Sequence, residues 1–145
     1  MSGARAWIDG AARGNPGEAG FGVHLERDDG TEEICGFLGR TTNNVAEYAA
    51  LVAALTWASE HGIEEMEVHS DSQLLVRQFE GQYRVKAPHL VPMFLRVVQL
   101  GRRIPELKVR HVPREENQDA DRLANKAIDE RVPLPDWLEL ETRNP

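Results

Sequence analysis

Residues 31–62, TEEICGFLGRTTNNVAEYAALVAALTWASEHG, change period halfway along. Over 31–40, Ile34, Gly36 and Leu38 alternate with Cys35 and Phe37, the two-residue repeat of a strand. From 44 to 60 the chain is rich in Ala, Leu and Glu and free of Gly and Pro, which suits a helix. Asn43 or Asn44 offers an N-cap, and His61-Gly62 offers the C-terminal stop. The passage therefore reads as a strand leading directly into a long helix.

Upstream, Ala4 to Ala11 reads as a strand, and Arg13-Gly14-Asn15-Pro16-Gly17 is a dense turn signal. Residues 19–27 follow, with Phe21, Val23 and Leu25 alternating, and Asp28-Asp29-Gly30 suits a hairpin. Downstream, 65–70 reads as a strand and 72–80 as a short helix. Residues 88–103 read as a helix on the spacing of Leu90, Met93, Phe94, Val97 and Val98, and 107–112 as a strand. A last helix over 114–130 carries Ala120, Leu123, Ala124, Ala127 and Ile128 on one stripe, ahead of Pro133. The order β-β-β-α-β-α-α-β-α, a meander followed by alternating elements, predicts an α/β fold, a mixed sheet flanked by helices on its faces.

The 145 residues include one cysteine and carry a net charge of -7. A chain of this length buries a core without disulfide or structural metal, so one domain over 1–145 is expected, with a core of about 4–131 and a tail over 132–145. Trp57 reads as core, Trp137 in the tail as docked on the body, and Cys35 as a small buried residue. No run approaches the ~20 apolar residues of a membrane span, and the start lacks the pattern of a signal peptide, so a cytoplasmic protein without membrane contact is expected. Charge is segregated: residues 84–114 hold 8 basic and 1 acidic side chains, against 5 and 14 before them and 4 and 9 after. A basic block between acidic flanks suggests one surface for a polyanion and another for something that needs carboxylates.

Four acids occupy positions where acids are costly. Asp9 lies within the first strand, on the face of Trp7 and Ala11. Glu47 heads an apolar row of Leu51, Ala54 and Ala58, Asp71 follows the fourth strand, and Asp121 borders the last helix's apolar stripe beside Ala124 and Ile128. Singly, each admits an ordinary reading: an edge-strand Asp facing water, a Glu favoured by the helix N-terminus, a capping Asp, a solvated Asp. Together they would repel unless a cation neutralises them, and hard oxygen donors suit Mg²⁺ or Mn²⁺. Two such ions about 4 Å apart would activate a water and steady the leaving oxygen of a phosphodiester.

The run Asp9-Gly10 with Gly14-Asn15-Pro16-Gly17, then Thr41-Thr42-Asn43-Asn44-Val45-Ala46-Glu47, then Ser70-Asp71-Ser72-Gln73, then His111 with Asn117 and Asp121, resembles ribonuclease H of type 1. The resemblance spans residues 4 to about 130. It implies a five-stranded sheet in order 3-2-1-4-5 with the first three strands antiparallel. It also implies cleavage of the RNA strand of RNA/DNA hybrids to 5′-phosphate and 3′-hydroxyl ends. Asp9, Glu47, Asp71 and Asp121 correspond to the family's ligands for two Mg²⁺ ions, for which Mn²⁺ can substitute. His111 corresponds to the mobile histidine that helps the leaving group or product depart.

The resemblance also places Gly10, Asn15, Arg40, Thr42, Asn43, Asn44, Gln73 and Asn117 on the substrate side. Asn15, Asn43 and Gln73 match residues that meet the hybrid's minor groove, where RNA shows its 2′-hydroxyls. Arg40, Thr42 and Asn15 match a pocket for a DNA-strand phosphate. The long basic protrusion of some members is reduced here to residues 81–88, so the chain resembles the branch without it. Arg84, Lys86, Arg102, Arg103, Lys108, Arg110 and Arg114 stand in for that protrusion, and Tyr83 is a candidate for stacking or for packing. A free-standing monomer with no obligatory protein partner is expected. Two other readings stay open: a non-catalytic nucleic-acid-binding module, and a DNA-directed nuclease on the same scaffold.

Overall fold

Alternation in the first forty residues builds a meander. In the computed structural model, which describes residues 2–140, β1 runs Gly3–Gly14, β2 Gly17–Arg27 and β3 Gly30–Thr41. These strands pair antiparallel, Ile8 opposite Val23 and Val23 opposite Ile34. After α1 (Asn43–Glu60), β4 (Glu65–Ser70) joins β1 in parallel; α2 (Gln73–Phe79) and α3 (Val91–Gly101) then lead to β5 (Glu106–His111), parallel to β4. The strand order is β3-β2-β1-β4-β5, as the resemblance implied. The last helix, α4, spans Gln118–Glu130.

Each face of the sheet takes a helix, and side-chain size decides which. Ile8, Phe21, Val23 and Leu25 point to one face and are fully buried with Leu51 and Leu55 of α1. Residues 45–58 of α1 are buried except Glu47, because the helix lies between the sheet and α3. An apolar surface all round is what such a position demands. On the other face, α4 presses on β2, and a Cβ at Gly22 would lie 2.5 Å from the Ala120 carbonyl oxygen and 2.7 Å from the Ala124 nitrogen. Gly20 meets Ala124 and Ala127 in the same way.

Local expectations are corrected at several points. Thr42, not Asn43 or Asn44, caps α1, its hydroxyl accepting from the Val45 amide at 3.2 Å. The alternation of β3 breaks at a bulge near Gly39, whose φ of +74° suits glycine. The third helix runs Val91–Gly101 rather than 88–103, because 87–90 form a separate turn in which the Leu90 amide donates to the Ala87 carbonyl at 2.9 Å. The fourth begins at Gln118 rather than 114, after a single 3-10 turn over Arg114–Glu116 that follows Pro113. Cys35 is half-buried, not buried, because it faces the rim of α4. Trp57 is buried, donating to Glu32 at 2.8 Å.

Beyond α4, the Val132 carbonyl accepts from the Phe37 amide at 2.7 Å, and Trp137 packs against the core. Residues 141–145 of the expected tail lie outside the described residues. Among the described residues no helix is long and apolar enough to cross a membrane.

Because backbone rather than flexible side chain crowds Gly22, Gly22→Ala must push α4 off β2. Overpacking of this kind costs about 2 kcal/mol. Urea denaturation should show the midpoint falling by the corresponding amount, whereas an unchanged midpoint would mean that α4 does not seat on β2 as described.

Candidate metal and nucleic-acid site

Three parallel strands, β1, β4 and β5, end at the same edge of the sheet, and the acids converge there. Asp9 projects from β1 towards α4 and is 8% exposed. Its partner on β2 is Gly22, which leaves no side chain in the way. At Gly10, set by the resemblance on the substrate side, a Cβ would lie 2.3 Å from the Glu47 nitrogen, so only glycine lets α1 bring Glu47 against β1. Its amide donates to Asp9 Oδ1 at 3.0 Å.

Asp71 follows β4 and is not spent on capping. Ser72 caps α2 by accepting from the Leu75 amide at 3.2 Å, and Ser70 Oγ accepts from the Ser72 amide at 3.1 Å. Oxygens of Asp9, Glu47 and Asp71 then lie within 4.8 Å of one another. Asp121 stands outside that trio but near enough for its carboxyl to act on Asp9. Asn125 holds Asp121, donating to its backbone carbonyl at 3.0 Å, and accepts from Arg13 at 3.3 Å.

Crowded acids resist ionisation. Burial, then the charge of Asp71 and the nearby Asp121 carboxyl, push the Asp9 carboxyl up to about 8. Burial and Asp71 push Glu47 up to about 7, against Ser72, which favours its charged form. Next to Glu47, the buried Tyr48 hydroxyl donates to Gln78 at 2.7 Å and ties α1 to α2. Among the described residues no Lys or Arg forms an ion pair with any of the four acids. Carboxyl oxygens this close, without a cationic side chain, fit a hard divalent cation that displaces their protons.

The other candidates surround this edge. Asn15, Asn43 and Gln73 are exposed, the last two as the first residues of α1 and α2. Asn15 Oδ1 accepts from the Asn43 amide at 3.1 Å, tying the β1–β2 turn to α1. Arg40 is exposed near the end of β3, with Thr42 and Asn44 half-buried beyond it. His111 is exposed at the end of β5, opposite Ser70 in the ladder. Asn117 is the exception: it is 1% exposed, and its Nδ2 donates to the Ile8 carbonyl at 2.9 Å. Ser70 and Ser72 enter the sequence reading only as part of the motif around Asp71, without a role, and Gln78 not at all, although a serine directly after Asp71 is a legible capping signal.

Residues 8–127 match the family model described as reverse transcriptase-like. A ribonuclease HI of Halobacterium salinarum is 42% identical over 127 residues, 86% of this chain and 64% of that protein. A bifunctional protein of Mycobacterium tuberculosis is 40% identical over 83% of this chain and 34% of its own length. The chain thus spans less than two thirds of these relatives. The crystal structure of LC11-RNase H1 in complex with RNA/DNA hybrid superposes with a TM-score of 0.82 at 43% identity, covering 88% of this chain and 97% of that one.

A carboxyl that holds its proton in the fold but releases it when unfolded makes stability depend on pH. Between the ordinary Asp value near 4 and about 8, folded Asp9 keeps a proton that the unfolded chain has lost. Stability in EDTA should therefore fall as pH rises through that window and level off above it, by about 5 to 6 kcal/mol from Asp9. Asp9→Asn should flatten the slope and be the more stable protein at pH about 9. Denaturation series at both ends of the window check this; equal slopes in the two proteins would contradict it.

Proposed function

The chain belongs to the ribonuclease H family, and from that premise and the acid cluster we propose that it hydrolyses the RNA strand of RNA/DNA hybrids endonucleolytically. The products carry 5′-phosphate and 3′-hydroxyl ends, the cofactor is Mg²⁺ with Mn²⁺ as substitute, and the chain acts as a monomer. The observation that carries the reading is the convergence of Asp9, Glu47 and Asp71 within 4.8 Å, with Asp121 acting on Asp9 from beside them.

Asp9 would serve two ions, completed by Glu47 and Asp71 on one side and by Asp121 on the other. When bound, the cations supply an ionised water at neutral pH and positive charge for the departing 3′ oxygen. The chain's own residues hold and aim these ligands: Gly10 through its amide on Asp9, Ser72 by capping α2 so that Asp71 is left free, Asn125 on Asp121. His111, exposed at the end of β5, is placed to give a proton to the departing oxygen or to help the product leave.

Selectivity rests on groups left unused by the fold. Asn15 Oδ1 is taken by Asn43, so its Nδ2 is the group free for a ligand. The Thr42 hydroxyl accepts from Val45 and still has its proton to donate, which with Arg40 suits a DNA-strand phosphate. Asn43 and Gln73 offer amides at two helix N-termini, where 2′-hydroxyls of the RNA strand can be read. LC11-RNase H1 in its complex with RNA/DNA hybrid supports this choice of substrate class.

Tyr83 is 51% exposed with Arg77 stacked over its ring, beside exposed Arg84 and Lys86. These replace an extended basic protrusion with few phosphate contacts, and Arg110 is partly engaged by Glu67 at 3.1 Å. Hybrid affinity should accordingly be modest and fall log-linearly with salt, as phosphate contacts release counterions. A binding constant flat between low and moderate salt would contradict this.

The direct test offers end-labelled hybrid, duplex RNA, duplex DNA and single strands with Mg²⁺, Mn²⁺ or EDTA. Cutting confined to the hybrid's RNA strand, dependent on metal and lost in Asp71→Asn, is the expected result. Hybrid binding without cutting would instead make the chain a binding module, and cutting of DNA would make it a DNA-directed nuclease.

A further inference from the structure

We propose that Asn117 is a positioning residue for the carboxylates, not a contact for the substrate; this rests on the metal-dependent reading above. At 1% exposure it cannot meet a nucleic acid. Its side chain reaches instead to the Ile8 carbonyl, the residue immediately before Asp9 and the last of β1 to pair with β4. Its own carbonyl accepts from the Asp121 amide at 3.1 Å. One residue thus joins the backbone leading into Asp9 to the helical turn that carries Asp121.

Two details argue that this link serves geometry rather than stability. Asn117 stands at the N-cap of α4, where an asparagine ordinarily accepts from the helix's first free amides, yet it makes no capping bond. Moreover, its Oδ1 is buried without a partner among the described residues, a state that costs stability. An asparagine kept for stability would cap the helix or be replaced by an apolar side chain. The ion pairs that tie α4 to the sheet, Arg122 to Glu33, Arg13 to Asp129 and Arg131 to Glu18, are exposed and lie beyond Asp121 along the helix. Arg13 meets Asn125 one turn after Asp121, and Asn117 is the polar tie to β1 that precedes it.

The discriminating variant is Asn117→Leu, which fills a similar volume and exchanges one orphaned acceptor, Asn117 Oδ1, for another, the Ile8 carbonyl. Its thermal midpoint in EDTA should stay close to that of the wild type. Its Mn²⁺ affinity, read by calorimetry without nucleic acid, should fall roughly tenfold or more, as should kcat, because an outer hydrogen bond that orients metal ligands has been removed. Hybrid affinity in EDTA should not change. Unchanged Mn²⁺ affinity would overturn the proposal, and so would loss of hybrid affinity with Mn²⁺ binding intact, which would return Asn117 to the substrate face. Should Asn117→Leu not fold, Asn117→Ala is read by the same two affinities. Failure of the wild type to bind Mn²⁺ or to cut hybrid would sink the functional reading itself; an active wild type with an indifferent variant would sink only this inference.

Discussion

Mutual repulsion among Asp9, Glu47, Asp71 and Asp121 is the constraint around which the molecule is arranged. Burial first, and the neighbouring carboxylates after it, push the carboxyls up to about 8 at Asp9 and about 7 at Glu47. The fold holds them together by close packing elsewhere. Gly10 lets α1 approach β1, Gly20 and Gly22 let α4 lie on β2, and the alanines along α1 and α4 leave nothing in between. Apolar burial on both faces of the sheet stabilises what the acids destabilise, and a bound cation would relieve the strain that remains.

Much of this was legible in the sequence because its signals are local. Two-residue alternation marked β1 to β3, and the Ala-rich run after Thr41 marked α1. Asp9 and Glu47 were visible as acids on apolar faces, since period alone says which way a residue points. Strand order was not legible from period; it came from the resemblance, because pairing of β1 with β4 joins residues some sixty apart and leaves no local trace.

The misses share a physical cause. Thr42, Ser72 and Asn117 all have side chains that either cap a helix or reach across to another element, and residue type favours capping in each. Thr42 and Ser72 do cap, and Ser72 thereby leaves Asp71 free for the cluster. Asn117 forgoes the cap for the Ile8 carbonyl, a choice set by tertiary neighbours that no window of sequence contains. How near α1 comes to Gly10 is likewise set by tertiary packing.

In the free site Asp9 and Glu47 hold protons that a divalent cation must displace. Calorimetric titration of Mn²⁺ into the metal-free protein at pH about 7, repeated in buffers of different ionisation enthalpy, counts those protons directly. With Asp9 pushed up to about 8 and Glu47 to about 7, loading should release about one to two protons per chain. Binding with no proton release would mean that the four acids are already ionised together, and the account of the site would be wrong.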